Sequence, residues 1–181
     1  MRTRSIPKVR TAHPTRSVRL ANAMTITGYE PGALGWVIEL HGRYYARHWG
    51  FGREFETLVG RELSEFVGGF DPAQDGFWIA KEDERIAGSI SIVRPRDEQG
   101  ARLRWFIVDD SFRGRGVGRM LMHTAMDFCR QAGYGKVWLT TFAGLDAARR
   151  LYEDAGFKLT HESQDRTWGV TTTEQRFDWS A

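Results

Sequence analysis

The chain has 181 residues, 41% of them apolar and 27% charged, a balance that fits one globular domain and excludes a disordered or fibrous protein. Its formal charge of +3 is unevenly spread: Arg2, Arg4, Lys8, Arg10, Arg16 and Arg19 all fall in residues 1–23, and the first carboxylate is Glu30. Without those six, 20 basic groups face 23 acidic ones, so the body from Met24 onward is mildly acidic, which argues against a domain built to neutralise nucleic-acid phosphates.

Cys129 is the single cysteine, and His13, His41, His48, His123 and His161 are scattered without zinc spacing. An intrachain disulfide is therefore impossible and no metal is expected. No apolar run approaches the ~18 residues of a membrane span, and the start of the chain lacks an apolar leader segment. These features predict a soluble, cytoplasmic protein without a membrane partner. Residues 1–23 carry Pro7 and Pro14, no acid and no periodic apolar face, and are expected to be a disordered basic extension of a domain spanning 24–181. An organellar transit peptide or an upstream extension ahead of a natural start at Met24 are two readings of that extension, and the mass of the native protein distinguishes them.

In chain order, Trp36/Val37, Leu40 and Tyr44, and then Phe55, Leu58/Val59, Leu63 and Phe66/Val67, repeat at the helical period. Gly50 and Gly52 separate the two runs and Gly68-Gly69 with Pro72 end the second, which predicts two successive helices. Gly76–Lys81, Ile86–Arg94 and Ala101–Val108 read as three strands, divided by the turn Glu82-Asp83-Glu84 and by residues 95–100. Such short connections suggest an antiparallel meander. Val117, Met120/Leu121, Thr124/Ala125, Phe128 and Ala132 then line one face of a helix that Gly133 closes. A β-rich run at Lys136–Thr141, a helix from Leu145 to Gly156, and strands at Phe157–Ser163 and Thr171–Trp179 follow. The sum is a single α/β (α+β) domain with a mixed, mostly antiparallel sheet and helices on both faces.

The chemistry is concentrated in Arg113-Gly114-Arg115-Gly116-Val117-Gly118-Arg119, which joins the strand ending at Val108 to the helix that opens near Val117. Glycines there let a ligand approach the backbone, and the unpaired N–H groups of the first helical turn face it. An anion is favoured at such a terminus by ~0.3–2 kcal/mol, and the three arginines add positive charge. The nucleoside-triphosphate loop is excluded because Arg119-Met120 follows Gly118 in place of Lys-Ser/Thr. The dinucleotide fingerprint fails too, since it lacks its third glycine and comes after several strands instead of opening the first βαβ unit. What fits is Arg113-x-x-Gly116-x-Gly118 between a strand and a helix; a surface Gly/Arg turn or an RNA contact is the alternative.

On this pattern, the chain resembles the GNAT family of acyl-CoA-dependent N-acetyltransferases. The resemblance covers residues 24–181 and implies the order β-α-α-β-β-β-α-β-α-β-β. It includes Ala147-Ala148-Arg149-Arg150-Leu151-Tyr152-Glu153-Asp154-Ala155-Gly156-Phe157, which looks like the family's fourth helix and its Gly-Phe exit. Leu34-Gly35-Trp36-Val37, His41-Gly42, Tyr45-Ala46-Arg47 and Leu103-Arg104 are similar to GNAT domains fused behind MarR-type regulators, without the winged-helix part.

The resemblance implies acetyl-CoA as co-substrate and a small-molecule primary amine as acceptor, which attacks the thioester directly in a ternary complex. The cofactor-binding set it implies is Phe106, Ile107 and Val108 on the strand, Arg113, Gly114, Arg115, Gly116, Val117, Gly118 and Arg119 in the loop, and Ala148 and Tyr152 on the later helix. Tyr152 would be the general acid for the departing thiolate, although by periodicity alone it is one more packed aromatic. Many relatives carry a glutamate base on the strand before the loop; none stands in Ala101-Arg102-Leu103-Arg104-Trp105-Phe106. His41 or Glu39 are the alternatives, with a solvated helix face the plain reading of Glu39. Phe142 replaces an asparagine that often contacts CoA in relatives.

Arg102 and Arg104 alternate with Leu103 and Trp105 and share one strand face; lining an acceptor cleft they would favour an amino-acid-like or anionic substrate, and exposed edge charge is the other reading. Trp36, Tyr44, Tyr45 and Trp49 are either an acceptor wall or core. Cys129 reads as a buried, inert thiol. A homodimer is allowed and no nucleic-acid partner is expected. Two other classes remain: a non-catalytic acyl-CoA-binding regulatory module, and a nucleic-acid binder that relies on the arginines.

Overall fold

The structure, a computed structural model, describes residues 23–167 and 170–181. The expectation of a disordered extension concerns residues that, Ala23 apart, lie outside these. A short strand β1 (Thr25–Thr27) leads into helices α1 (Ala33–Trp49) and α2 (Arg53–Gly68). Strands β2 (Gly76–Glu82), β3 (Arg85–Val93) and β4 (Ala101–Val108) follow, then α3 (Val117–Gln131), β5 (Lys136–Phe142), α4 (Asp146–Asp154), β6 (Lys158–Asp165) and β7 (Thr172–Ser180).

Glycines punctuate the helices where the sequence places them. Gly50 takes a left-handed conformation at φ 70°, so that its N–H donates to the Ala46 carbonyl and the Phe51 N–H to that of Tyr45, closing α1. The turn between β2 and β3 is one residue shorter than expected, because Glu82 pairs with Arg85 and Asp83 alone adopts positive φ, at 54°. A two-residue hairpin loop of this kind matches the right-handed twist of its strands. An additional 3-10 turn at Asp110–Phe112, pinned by the Asp109 carboxylate accepting from Ser111 N–H, precedes the glycine loop.

The seven strands form one sheet in the order β1-β2-β3-β4-β5-β7-β6. Every pairing is antiparallel except β4 with β5, which α3 links as a crossover. Apolar side chains pack on both faces. Ile90, Ile92, Leu103, Val137, Leu139 and Phe177 meet Leu121 and Met126 of α3 and Tyr152 of α4. On the other face Phe77, Ile79 and Trp105 meet Val37 of α1 and Phe55, Leu63 and Phe66 of α2. Burying such side chains stabilises the fold by ~1.5–3 kcal/mol each.

The two faces switch along β4. Ser89 pairs with Ile107 while Ser91 pairs with Arg104, so two steps on β3 oppose three on β4. Trp105 absorbs the extra residue at φ 47°, and the buried Ser89 hydroxyl donates to its carbonyl at 2.9 Å. Simple alternation would put Trp105 opposite Arg104; this β-bulge brings both to the α1/α2 face, with the Arg104 guanidinium 4.3 Å from the Trp105 ring centroid. Arg102 and Arg104 do share a face, as the spacing requires.

Candidate active site

β4 and β5 pair only at Ala101–Val137 and Arg102–Trp138 and then part. Beyond the bulge the β5-facing edge of β4 has no strand partner, so its N–H and C=O groups are open to a ligand in extended conformation. A cleft of about 420 Å³ fills the gap. Phe106, Ile107 and Val108 of β4 line it, with Phe112, Arg113, Gly114 and Gly118 from the loop. The α4 side supplies Leu145, Asp146, Ala148, Leu151 and Tyr152, and α1 contributes Tyr44 and Tyr45. Of the residues that sequence singled out, the cleft brings together Phe106, Ile107, Val108, Arg113, Gly114, Gly118, Ala148 and Tyr152, whereas the side chains of Arg115, Val117 and Arg119 and the backbone of Gly116 do not line it.

Within the loop, Gly114 and Gly116 have φ of 75° and 80°, a region L side chains rarely adopt, and an added Cβ at either would meet open space. Gly116 is the N-cap of α3 and has no side-chain cap, so the amides of the first turn, from Val117 to Arg119, project without an intrahelical partner. Gly118 acts differently: its Cβ would lie 2.8 Å from Leu151 Cδ1 and 3.5 Å from Phe106 Cζ, so its absence lets α3 approach α4 and β4 closely. The arginines are less available than their number suggests. Arg113 pairs with Asp110 at 2.7 Å and lies 5.4 Å from the Tyr44 ring centroid. Arg115 pairs with Glu82 across the loop. Arg119 faces a separate shallow groove with Met122, His123, Met126 and Arg130. Anion attraction at this end therefore rests on the helix amides more than on side-chain charge.

Tyr152 is buried at the floor of the cleft, between Phe106, Phe157 and Phe177 at centroid distances of 6.0, 6.3 and 5.8 Å. Burial raises its pKa well above the usual phenol range, opposed only by a hydrogen bond with Thr141, so it holds its proton at neutral pH. Tyr45, half-buried nearby, is raised chiefly for the same reason.

His41 is buried on α1 and stacks on Tyr45 at 6.2 Å. Its Nδ1–H donates to the Val37 carbonyl at 2.8 Å, which leaves the lone pair on Nε2. Burial pushes its pKa down to about 4, against the Val37 bond, with Arg104 lowering it further. It lies behind Tyr45, outside the residues that line the cleft. Glu39 is not brought to the site: its side chain is 61% exposed and pairs with Arg43 one helical turn on. Of the proposed aromatic wall, Tyr44 and Tyr45 line the cleft, whereas Trp36 and Trp49 pack against the core. Phe142 packs edge-on or tilted against Tyr45, Trp49 and Phe51. Cys129 is buried, its thiol pushed up to about 12 by burial.

Phe112, Leu145, Asp146 and Leu151 were not singled out as site residues by the sequence. Asp146 in the first turn of a helix was the only one with a readable polar signal. Among the described residues no group of three or more His, Cys, Asp or Glu is placed to hold a metal ion, and no helix is long and apolar enough to cross a membrane.

Known proteins share this architecture and parts of this sequence. The acetyltransferase (GNAT) family model matches residues 37–157. Human N-acetyltransferase 8B is 32% identical over 96 residues, covering 51% of this chain and 42% of that protein. The N-acetylaspartate synthetase of Danio rerio is 32% identical over 96 residues, covering 53% of this chain and 34% of that protein. The chain thus spans less than half the length of these relatives. A Salmonella typhimurium protein described as an acetyltransferase, solved with its cofactor acetyl-CoA, superposes with a TM-score of 0.71 at 17% identity, covering 88% of this chain and 94% of that one. The ribosomal-protein-alanine N-acetyltransferase of Brucella melitensis does so with a TM-score of 0.69 at 15% identity, covering 87% and 99%. With two thirds of its length matched by the family model and its sheet parted beside a glycine-rich helix terminus, the chain belongs to the GNAT acetyltransferase family.

Proposed function

We propose that residues 24–181 form one cytoplasmic catalytic domain that transfers an acetyl group from acetyl-CoA to the primary amine of a small molecule, by direct attack in a ternary complex. The observation that carries this reading is the free β4 edge leading to a helix terminus that no side chain caps. Extended polar chain and pyrophosphate find complementary partners there in one continuous surface. Acetyl-CoA supplies the acyl group as a thioester, already activated toward an uncharged amine.

The chain's own groups have defined tasks. The β4 edge at Phe106, Ile107 and Val108 pairs with the extended arm and offers an N–H to the developing oxyanion. Amides from Val117 to Arg119 hold the phosphates, with Gly114 and Gly116 keeping the approach open. Ala148 lines the same wall. Tyr152 holds a proton at Oη for the leaving sulfur. His41, neutral at pH 7 with Nε2 bare, is the base candidate that the structure leaves, and it acts through water because it does not line the cleft.

Release of free thiol from acetyl-CoA across a panel of amines tests the reading. Release matched by acetylated amine is the expected result. Tight binding of acetyl-CoA with no release under any acceptor would instead favour a non-catalytic acyl-CoA-binding module. Sedimentation of the active protein decides whether it works as a homodimer.

A further inference from the structure

The α1/α2 face of the sheet carries three arginines near the point where β4 and β5 part, and they are not equivalent. Arg104 is paired with Glu62 of α2 and covers Trp105. Arg176 on β7 is paired with Asp178 at 2.9 Å and gives a further hydrogen bond to Gln99 Oε1 at 2.6 Å. Arg102 makes no ion pair among the described residues. Of its three nitrogens only Nη2 finds an acceptor, Thr140 Oγ1 at 3.3 Å, and the half-buried side chain leaves Nε with no partner at all. Glu62 and Glu174 attract it through space, opposed by Arg104 and Arg176.

Its direction matters as much as its missing partners. Arg102 opposes Trp138 in the last pair between β4 and β5, and Thr140 lies two residues further along β5, past the parting point. The bond to Thr140 therefore carries the guanidinium along the strands past the last β4–β5 pair, with its Cζ over the Trp138 ring at 4.4 Å. It does so on the sheet face opposite α3 and α4, next to the residues that line the cleft without being one of them. A planar cation with vacant donors, held by stacking, is suited to a carboxylate, which offers two acceptors in one plane. Burial and Arg104 push the pKa of Arg102 down to about 10, so an anion at this position relieves a charge the fold itself leaves uncompensated.

We propose that Arg102 anchors a carboxylate on the acceptor, so that the acceptors are aminocarboxylates. The proposal rests on the acyltransferase reading above and names the substrate class of that same site.

The test is a ladder of glycine, β-alanine, γ-aminobutyrate and ε-aminohexanoate, each beside its carboxamide, with wild type, Arg102→Gln, Arg102→Lys and, as a control, Arg176→Gln. At least one acid should be preferred over its amide by about 10–100-fold in kcat/KM, expressed through KM, since a charged hydrogen bond is lost in the amide. Arg102→Gln should abolish that preference, bringing the acid-to-amide ratio of kcat/KM to about one. Arg102→Lys, which keeps the charge and the fold, should retain part of it, and Arg176→Gln all of it. Equal use of acid and amide by wild type, or a preference that survives Arg102→Gln, overturns the proposal. If no amine is acetylated, the acyltransferase reading fails separately and the anchor is read by binding. Tryptophan fluorescence, sensitive to the stacked Trp138, is titrated with the N-acetylated acids and their amides in the presence of CoA. Acid-selective binding lost in Arg102→Gln upholds the anchor, and its absence in wild type overturns it.

Discussion

Tyr152 and His41 are both buried, and burial moves their protons in opposite directions. A phenol loses solvation when it ionises to an anion and so keeps its proton; an imidazole loses solvation when it becomes a cation and so stays neutral. That divergence is what the proposed mechanism asks of a proton donor and a proton acceptor. Tyr152→Phe should lower turnover by ~10²-fold or more while leaving CoA affinity nearly unchanged, as expected of a general acid; thiol release and CoA titration measure the two, and unchanged turnover would remove Tyr152 from the chemistry. His41 also makes stability depend on pH. Its pKa falls from 6.5 in the unfolded chain to about 4 when folded. Between those values the unfolded state binds a proton that the native state refuses, so stability is full above pH 6.5 and declines as pH falls toward 4, by about 3 kcal/mol from this group. Urea unfolding at pH 4.5 and pH 7 should show a shallower pH dependence in His41→Gln than in wild type. The identities of these residues were legible from periodicity and resemblance. Their protonation states were not, because burial depends on what α4 and β4 pack against. Nor could spacing show which of Arg102 and Arg104 lacks a carboxylate, since Glu62 comes from an element forty residues away in the chain.

Two local devices open the site, and they differ in how well sequence announces them. The loop is legible because only glycine takes positive φ without penalty, so Gly114 and Gly116 declare the backbone they require. Gly116→Ala places a Cβ on a left-handed residue, which costs ~1–2 kcal/mol. CoA affinity should fall at least tenfold as the loop relaxes away from the strain, whereas Gly68→Ala, at the end of α2 with open space around its Cβ, should leave it unchanged; calorimetric titration compares them. The β4 bulge has no such signature. Trp105 is an unlikely residue for φ 47°, and the hydroxyl that holds its carbonyl comes from Ser89 on the neighbouring strand. An alternation rule applied along Ala101–Val108 therefore assigned Trp105 to the wrong face. Ser89→Ala leaves the buried Trp105 carbonyl without this partner and should cost ~1–3 kcal/mol in thermal unfolding. It should also lower kcat more than it raises KM for acetyl-CoA, because the amides proposed to polarise the acyl carbonyl follow the bulge.

At the scale of the molecule, the order of helices was readable because each carries an apolar period and ends at glycine, whereas the three-residue β1 came only with the resemblance. The parting of β4 and β5 after Arg102–Trp138 has no signature in the period of either strand. The charge of +3 also changes meaning once folded. Arg113, Arg115 and Arg104 are matched by Asp110, Glu82 and Glu62, so the body offers no broad cationic surface from these groups. Any salt-dependent nucleic-acid binding by the full chain should vanish on removal of residues 1–23, as a filter-binding titration would show.

The central claim is that the cleft between β4 and β5, closed at one end by the glycine loop, is where acetyl-CoA binds. Amide hydrogen exchange with and without acetyl-CoA measures this directly. Slowed exchange concentrated in Leu103–Val108 and in the loop from Gly114 to Arg119 is the predicted result. Protection absent from both segments, or confined to the outer groove around Met122 and Arg130, would contradict it.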